Sequence, residues 1–501
     1  MMNWHLNVRD RRGRRTRAGL GVRLLPFLLW APVLASVVGC AAWLPGKPAW
    51  EQPPPPLKQG PVVSSDALTR ARLDNGLVVM LLEDHRLPTV SLGLTVRSGA
   101  GSVDPGRAGL VELTAEVMNR GAGDRDGLAL AEAVDALGAS LTVSAGWDSM
   151  SVKVSGLSRD LDFLLGILAD VVLAPRFDLV EVEKARKEQL AGLEAANDNP
   201  GELARREAMA ILYPDHRYGR PVSGLPETVG GLDQAAVRDL YRGFFVPDNA
   251  IVSASGDVDP EAFAAALADR FGDWTSGEAG DLAPAGTPAP PAITPGKRRI
   301  VIVDKPDLNQ ARIIIAHEGI ARTDPRRVAA SLLNATLGGS GFSSRLMRKL
   351  RSEEGLTYGV RSGFGLRSRP GPFSVSTFTR VPETRRAVDM LLDELEAIRS
   401  RRIQSDEELA KAKSYTVGQF GLSLETSAAV LGSLVSLDVY GLPADSLDTY
   451  RSRISAVTSA QTRRVADELL HPDRAAIVLL GPAEILAPQF EDLGPVEIIT
   501  P

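Results

Sequence analysis

Hydrophobic residues along this chain alternate between a helical and a strand-like period. Leu110, Leu113, Val117 and Met118 recur at helical spacing, Glu112, Glu116 and Arg120 stand four apart on the other side, and Gly121 marks a stop. Residues 109–121 therefore read as one amphipathic helix. Upstream, Leu77 to Leu82 is a continuous apolar run between Asn75-Gly76 and Glu83-Asp84, and Val90 to Val96 is a second strand. Downstream the pattern predicts a helix at 128–137, a hairpin from 141–144 and 151–155, and long helices at 161–173 and 179–196. Beyond the break at Asp198-Asn199-Pro200 come helices at 202–212 and 234–244, a strand at 250–255 and a helix at 260–271.

Residues 276–297 hold Pro284, Pro288, Pro290, Pro291 and Pro295 among Gly and Ala, a linker composition. After them the order of elements repeats. Strands are expected at 298–303 and 311–316, and Thr323-Asp324-Pro325 opens a helix as Val103-Asp104-Pro105 does, 220 residues earlier. Phe373 to Ser376 with a helix at 384–398 parallels 152–168, and Glu408 to Lys413 parallels Glu181 to Arg186. Each match is weak, but the order is kept, which indicates a duplicated α+β unit.

With 501 residues, 44% of them hydrophobic, the chain is long enough for several α/β units of ordinary globular composition. Its start differs. Seven arginines between Arg9 and Arg23 precede an apolar stretch, Leu24 to Val38, that is short for a membrane span and reads as a secretory signal. It ends in Val37-Val38-Gly39-Cys40, which resembles a bacterial lipobox, and Cys40 is the only cysteine. An exported chain with one cysteine makes no internal disulfide, so a lipid thioether accounts for it. The simpler alternative is an uncleaved N-terminal anchor in which Cys40 is incidental. Ala41 after the cysteine favours, by the same resemblance, the periplasmic face of the outer membrane in a Gram-negative cell envelope. Residues 1–39 are then a signal peptide and 40–65, with Pro53 to Pro56, a tether. Removing residues 1–39 takes away seven arginines and one aspartate, leaving 50 basic and 61 acidic residues, a net of −11. That argues against a nucleic-acid partner, and membrane attachment is then expected from acyl chains and not from a basic surface.

The strand at 90–96, the turn through Gly99 and Gly101, Asp104-Pro105-Gly106 and the helix at 109–121 resemble the segment of the pitrilysin/insulinase peptidases that carries the inverted zinc motif H-x-x-E-H. The resemblance puts Glu112 at the first histidine, Ala115 at the general-base glutamate and Glu116 at the second histidine. The third ligand, in the helix introduced by Phe177-Asp178, falls on Ala191. Ala115 cannot take a proton, so the resemblance implies neither a catalytic residue nor a metal in this chain. Two carboxylates one turn apart share a face, but they lack a histidine, a third ligand and a base. The simpler account is a solvated stripe in which Arg120 pairs with Glu116.

In the second half, Leu337-Gly338-Gly339-Ser340-Gly341-Phe342 precedes Arg351 and Tyr358, seven apart in an R-x(4)-L-x-Y context. In the same family such a loop, arginine and tyrosine grip the substrate backbone opposite the zinc. Gly338, Gly339 and Gly341 would let a peptide approach, while guanidinium and phenol offer fixed donors to a carbonyl or oxyanion. The alternative makes Arg351 a surface ion-pair residue and Tyr358 a core residue. The loop lacks a Gly-Lys-Ser/Thr ending and is no nucleotide site. His5, His85, His216, His317 and His471 form no helical ligand pair, and neither H-E-x-x-H nor G-x-S-x-G occurs.

The resemblance covers about residues 66–490 and is closest to the processing peptidases. It implies an α+β fold of two homologous α/β-sandwich halves, 66–275 and 298–492, in a clamshell enclosing a chamber. The function it implies is a non-catalytic, substrate-gripping subunit of a two-subunit zinc metallopeptidase acting on unstructured peptides, with zinc in a paralogous partner. The alternative is an inactive scaffold or peptide-binding lipoprotein of the cell envelope. A self-sufficient peptidase with an unusual site is a third possibility.

Overall fold

The run Leu77 to Leu82 lacks the alternation of a half-buried strand because both of its faces are covered. In the computed structural model, which describes residues 68–275, 298–400 and 404–500, strand Val78–Glu83 lies inside a six-stranded sheet. Leu77, Val79 and Leu81 enter the main core of the first half, while Val78, Met80 and Leu82 enter a separate apolar cluster on the other face. Strand Met150–Leu157 does alternate, with Met150, Val152 and Val154 buried and Lys153 exposed. The expected signal at 1–39, Cys40, the tether and the linker at 276–297 lie outside the described residues.

The first sheet runs in the order Leu68–Arg72, Val78–Glu83, Ala250–Gly256, Thr89–Val96, Met150–Leu157, Ser140–Ala145. The second runs Val360–Phe364, Pro372–Arg380, Gln310–Glu318, Ala476–Gly481, Arg299–Asp304, Val496–Ile499. Read from opposite ends, the two share one topology over five strands, including a single parallel central pair, 78–83 with 250–256 and 299–304 with 476–481. They differ at the sixth. The first sheet is closed by an antiparallel strand from the N-terminal side, the second by a parallel one from the C-terminal side, Val496–Ile499, past residue 492. The Asp-Pro motifs match as well: Asp104 accepts from the Gly106 N–H and Asp324 from the Arg326 N–H, each at 2.7 Å, as Asx turns. The turn at Asp104 makes a 3₁₀ segment, and the α-helix begins only at Leu110.

The halves interlock by exchanging one helix each. Helix Pro200–Leu212 of the first half lays Leu203, Ala204, Ala208 and Leu212 on Ile314, Ala316, Val478 and Leu480 of the second sheet. Helix Ser427–Val439 of the second half lays Val430, Leu431, Leu434 and Val435 on the first sheet. Burying those four side chains is worth roughly 6–12 kcal/mol as an upper estimate. Trp147 meets Tyr218 of the same half edge-on at 5.1 Å, and the Arg367 guanidinium of the second half lies 4.0 Å from the Trp147 ring and 4.3 Å from that of Tyr218. Asp148 accepts from Tyr440 Oη at 2.9 Å, tying the 145–150 turn to the exchanged helix. His216 and His317 are each 1% exposed and bonded into the fold: His216 Nδ1 accepts from the Tyr218 N–H, and His317 Nε2 from the His471 N–H.

Candidate functional site

Helix Leu110–Met118 is launched by Gly109 at φ +98°, where a Cβ would strike Val229 Cγ2 at 2.5 Å. Gln189 of helix Leu179–Ala196 fixes this start by donating to Gly109 O at 3.1 Å and Ser223 O at 2.7 Å. Between the two helices lies a groove of about 420 Å³, lined by Glu112, Glu116, Glu188, Gln189, Gly192 and Ser223 among others. Ala115 is 3% exposed and belongs to the core behind it. Ala191 is exposed and does not line the groove, so the helix presents Gly192 and Glu188 there instead.

The expected pairing within a solvated stripe is present, with Glu116 and Glu188 each about half exposed, and Arg120 extends it. Arg120, with its side chain 15% exposed, donates to Glu116 at 2.7 Å as the i, i+4 spacing predicts, but it also binds Glu188 and reaches Glu181 at 3.5 Å. Its guanidinium supplies the positive charge that a metal would otherwise bring to these acids. Hydrogen bonding to Arg120 holds the Glu188 carboxyl below the usual carboxylate range. Burial, then the charge of Glu116, pushes Glu112 above it. Among the described residues no group of three or more His, Cys, Asp or Glu side chains is arranged to hold a metal. The donor set does not fit zinc: both imidazoles and the base are replaced, and an arginine sits among the remaining acids. Glu112→His with Glu116→His and Gly192→Glu should bind stoichiometric zinc, because a Cβ at Gly192 meets nothing within 4 Å. The same pair with Ala191→Glu should not, as read by metal analysis after dialysis.

In the second half, helix Arg327–Asn334 widens into π-helical turns at Ala335–Gly339 and again at Met347–Glu353, a rare distortion that concentrates at functional sites. Gly338 and Gly339 are required by packing. A Cβ would meet Ser362 Oγ at 2.4 Å in the first case and Asn334 Nδ2 at 2.6 Å in the second. Only Gly341, at φ +66° with open space around it, has room for an approaching chain. Arg351 donates from Nη1 to Tyr358 O at 2.5 Å, and its guanidinium lies 4.5 Å from the Phe342 ring and 6.0 Å from that of Tyr358. Tyr358 is 76% and Phe342 68% exposed, so neither is a core residue. Phe342 carries no motif that would single it out; its place beside Arg351 comes from the turn at Gly341.

The outer strands of the two sheets also differ. In the second sheet, the Val360 N–H donates to Met347 Sδ at 3.3 Å and Ser362 O accepts from Asn334 Nδ2 at 3.0 Å, so side chains occupy that edge. In the first sheet, strand Ser140–Ala145 packs against helix Leu110–Met118, and among the described residues nothing hydrogen-bonds to its outer side.

Residues 78–225 match the family model described as "Insulinase (Peptidase family M16)", and residues 231–415 match "Peptidase M16 inactive domain". The chain belongs to the M16 insulinase family. An uncharacterized zinc protease of Mycobacterium tuberculosis is 28% identical over 82% of this chain and 93% of its own. One of Streptomyces coelicolor is 26% identical over 82% and 89%. The crystal structure of a peptidase M16 inactive domain from Pseudomonas fluorescens superposes with a TM-score of 0.75 at 27% identity, covering 83% of this chain and 98% of that one. A chain of complex III2 from Candida albicans shares the fold with a TM-score of 0.69 at 18% identity, covering 85% and 97%. This is thus an M16 chain without the H-x-x-E-H motif.

Proposed function

We propose that this M16 chain is the substrate-gripping, non-catalytic subunit of a two-subunit zinc peptidase, its partner being a paralogue that carries zinc and the general base. The carrying observation is the surface cluster of Arg351, Phe342 and Tyr358. The Arg351 guanidinium, near the exposed Phe342 and Tyr358 rings, keeps donors beyond the one bonded to Tyr358 O for a peptide carbonyl, and exposed rings of this size suit an extended peptide. The open edge of strand Ser140–Ala145 supports the same reading, since an extended peptide can add to it through main-chain hydrogen bonds. Peptide-bond hydrolysis would then use the partner's metal and base, while this chain fixes the substrate.

One observation favours the alternative of an inactive scaffold or peptide-binding lipoprotein: Arg351 already spends a donor on Tyr358 O within the chain. Co-expression with a paralogue bearing H-x-x-E-H separates the two. A stoichiometric complex with one zinc per pair, held by the paralogue, supports the subunit reading, and a paralogue that purifies alone and fully active supports the scaffold. Attachment at the periplasmic face of the outer membrane through acylated Cys40 belongs to the same proposal. Cys40→Ser should abolish incorporation of labelled fatty acid and move the chain out of the membrane fraction; unchanged labelling would contradict it.

A further inference from the structure

Away from both regions, a groove of about 700 Å³ runs across one end of the first sheet under the N-terminus of helix Ser427–Val439. Its floor comes from one face of four adjacent strands, where register places Ser140 opposite Ser155, Ser155 opposite Ser91, and Ser91 opposite Ser255. Neighbouring strands lie about 4.8 Å apart, so the four serines form a row with that spacing at the backbone. Ser140 and Ser155 bond to each other at 2.8 Å. Ser255 is different: it is 1% exposed, and its Oγ has no hydrogen-bond partner among the described residues. A buried hydroxyl left unpaired costs about 1–3 kcal/mol, which a ligand hydroxyl or carbonyl seated in the groove would recover.

The charges around the groove narrow the ligand class. Arg86 binds Asp84 through two hydrogen bonds of 2.7 Å, which holds the Asp84 carboxyl down at about 2 and leaves the pair neutral overall. Glu425 is the remaining charged residue of the lining, so the groove disfavours anions even though a helix N-terminus faces it. Leu87, 66% exposed, and Leu157 supply apolar wall. A row of hydroxyls with aliphatic sides and no cationic excess suits a neutral, polyhydroxylated chain whose repeat is close to the strand spacing. We infer that this groove is a binding site for a neutral oligosaccharide, held by the serine row with Ser255 Oγ at its inner end.

The test is calorimetric titration of the full chain, in a detergent without sugar headgroups, with a neutral β-1,4-linked tetrasaccharide, alongside Ser255→Ala and Ser91→Ala. Saturable binding is expected, weakened up to about tenfold by each variant, one hydrogen bond being worth up to ~1.5 kcal/mol. Ser255→Ala should leave the unfolding midpoint equal or higher, because it removes an unpaired group; a merely structural serine would lower it. No saturable binding at millimolar sugar, binding by both variants as tight as by the parent, or tighter binding of an unstructured peptide in the same groove would overturn the assignment.

Discussion

If this chain is the proposed subunit, Arg351→Ala should lower the kcat/KM of the two-chain peptidase by about 100-fold or more, the loss typical of deleting one preorganised donor to a developing oxyanion. Affinity between the chains should stay unchanged, because the residue lies in the cluster proposed to grip substrate. Arg351→Lys should recover little. An ammonium is a point charge without the planar fork that can bond Tyr358 O while presenting further donors to a peptide. Tyr358→Phe should cost about tenfold, one hydrogen bond's worth, and Phe342→Ala should fall between, since that ring lies 4.5 Å from the guanidinium and orients it. Steady-state kinetics on a fluorogenic peptide checks the order. Equal activity for all four variants would put the cluster outside the site.

The second large effect is on stability. Arg345 is 7% exposed and forks onto Glu408 at 2.6 and 2.8 Å while reaching Glu394 at 3.3 Å. It ties the segment between the two π-helical turns to helices Thr384–Ser400 and Asp406–Leu422, and so supports the turn that carries Arg351. Glu394 is 3% exposed, so removing the arginine leaves a buried acid short of its partner. Arg345→Met should cost about 3–5 kcal/mol. The lower end is expected, because Lys349 still reaches Glu394 at 3.4 Å. Urea titration measures the loss, and adding Glu394→Gln and Glu408→Gln should restore part of it. A single variant as stable as the parent would mean the network contributes nothing.

Much of this was legible in the sequence where local pattern decides. The periodicity of Leu161 to Leu173, Leu179 to Ala196 and Gln234 to Phe244 gave those helices to the residue. The Asp-Pro motif and the order of elements revealed the duplication. The degenerate helix was legible as a loss of chemistry, because Ala115 has no proton acceptor whatever surrounds it. What surrounds it was not. That Arg120 gathers Glu181 and Glu188 depends on how two helices face each other, which i, i+4 spacing cannot report. For the same reason the resemblance places Ala191 at the third-ligand position, while Gly192, one residue and about 100° further around the helix, lines the groove. The exchange of helices Pro200–Leu212 and Ser427–Val439 is also non-local. Each looks like an ordinary amphipathic or apolar helix, and nothing in its own residues says which sheet it covers. Gly338 and Gly339 were read as room for substrate, whereas Ser362 and Asn334 explain them; a Gly-rich string gives the same signal for a close ligand and a close neighbour.

On the proposed function, this chain has lost the metal chemistry and kept the substrate grip. The most direct measurement is peptidase activity on an unstructured fluorogenic peptide, for this chain, for a zinc-bearing paralogue, and for the two mixed. Activity confined to the mixture, and lost with Arg351→Ala in this chain, is the predicted result. A paralogue equally active alone, or zinc-dependent activity from this chain by itself, would contradict it.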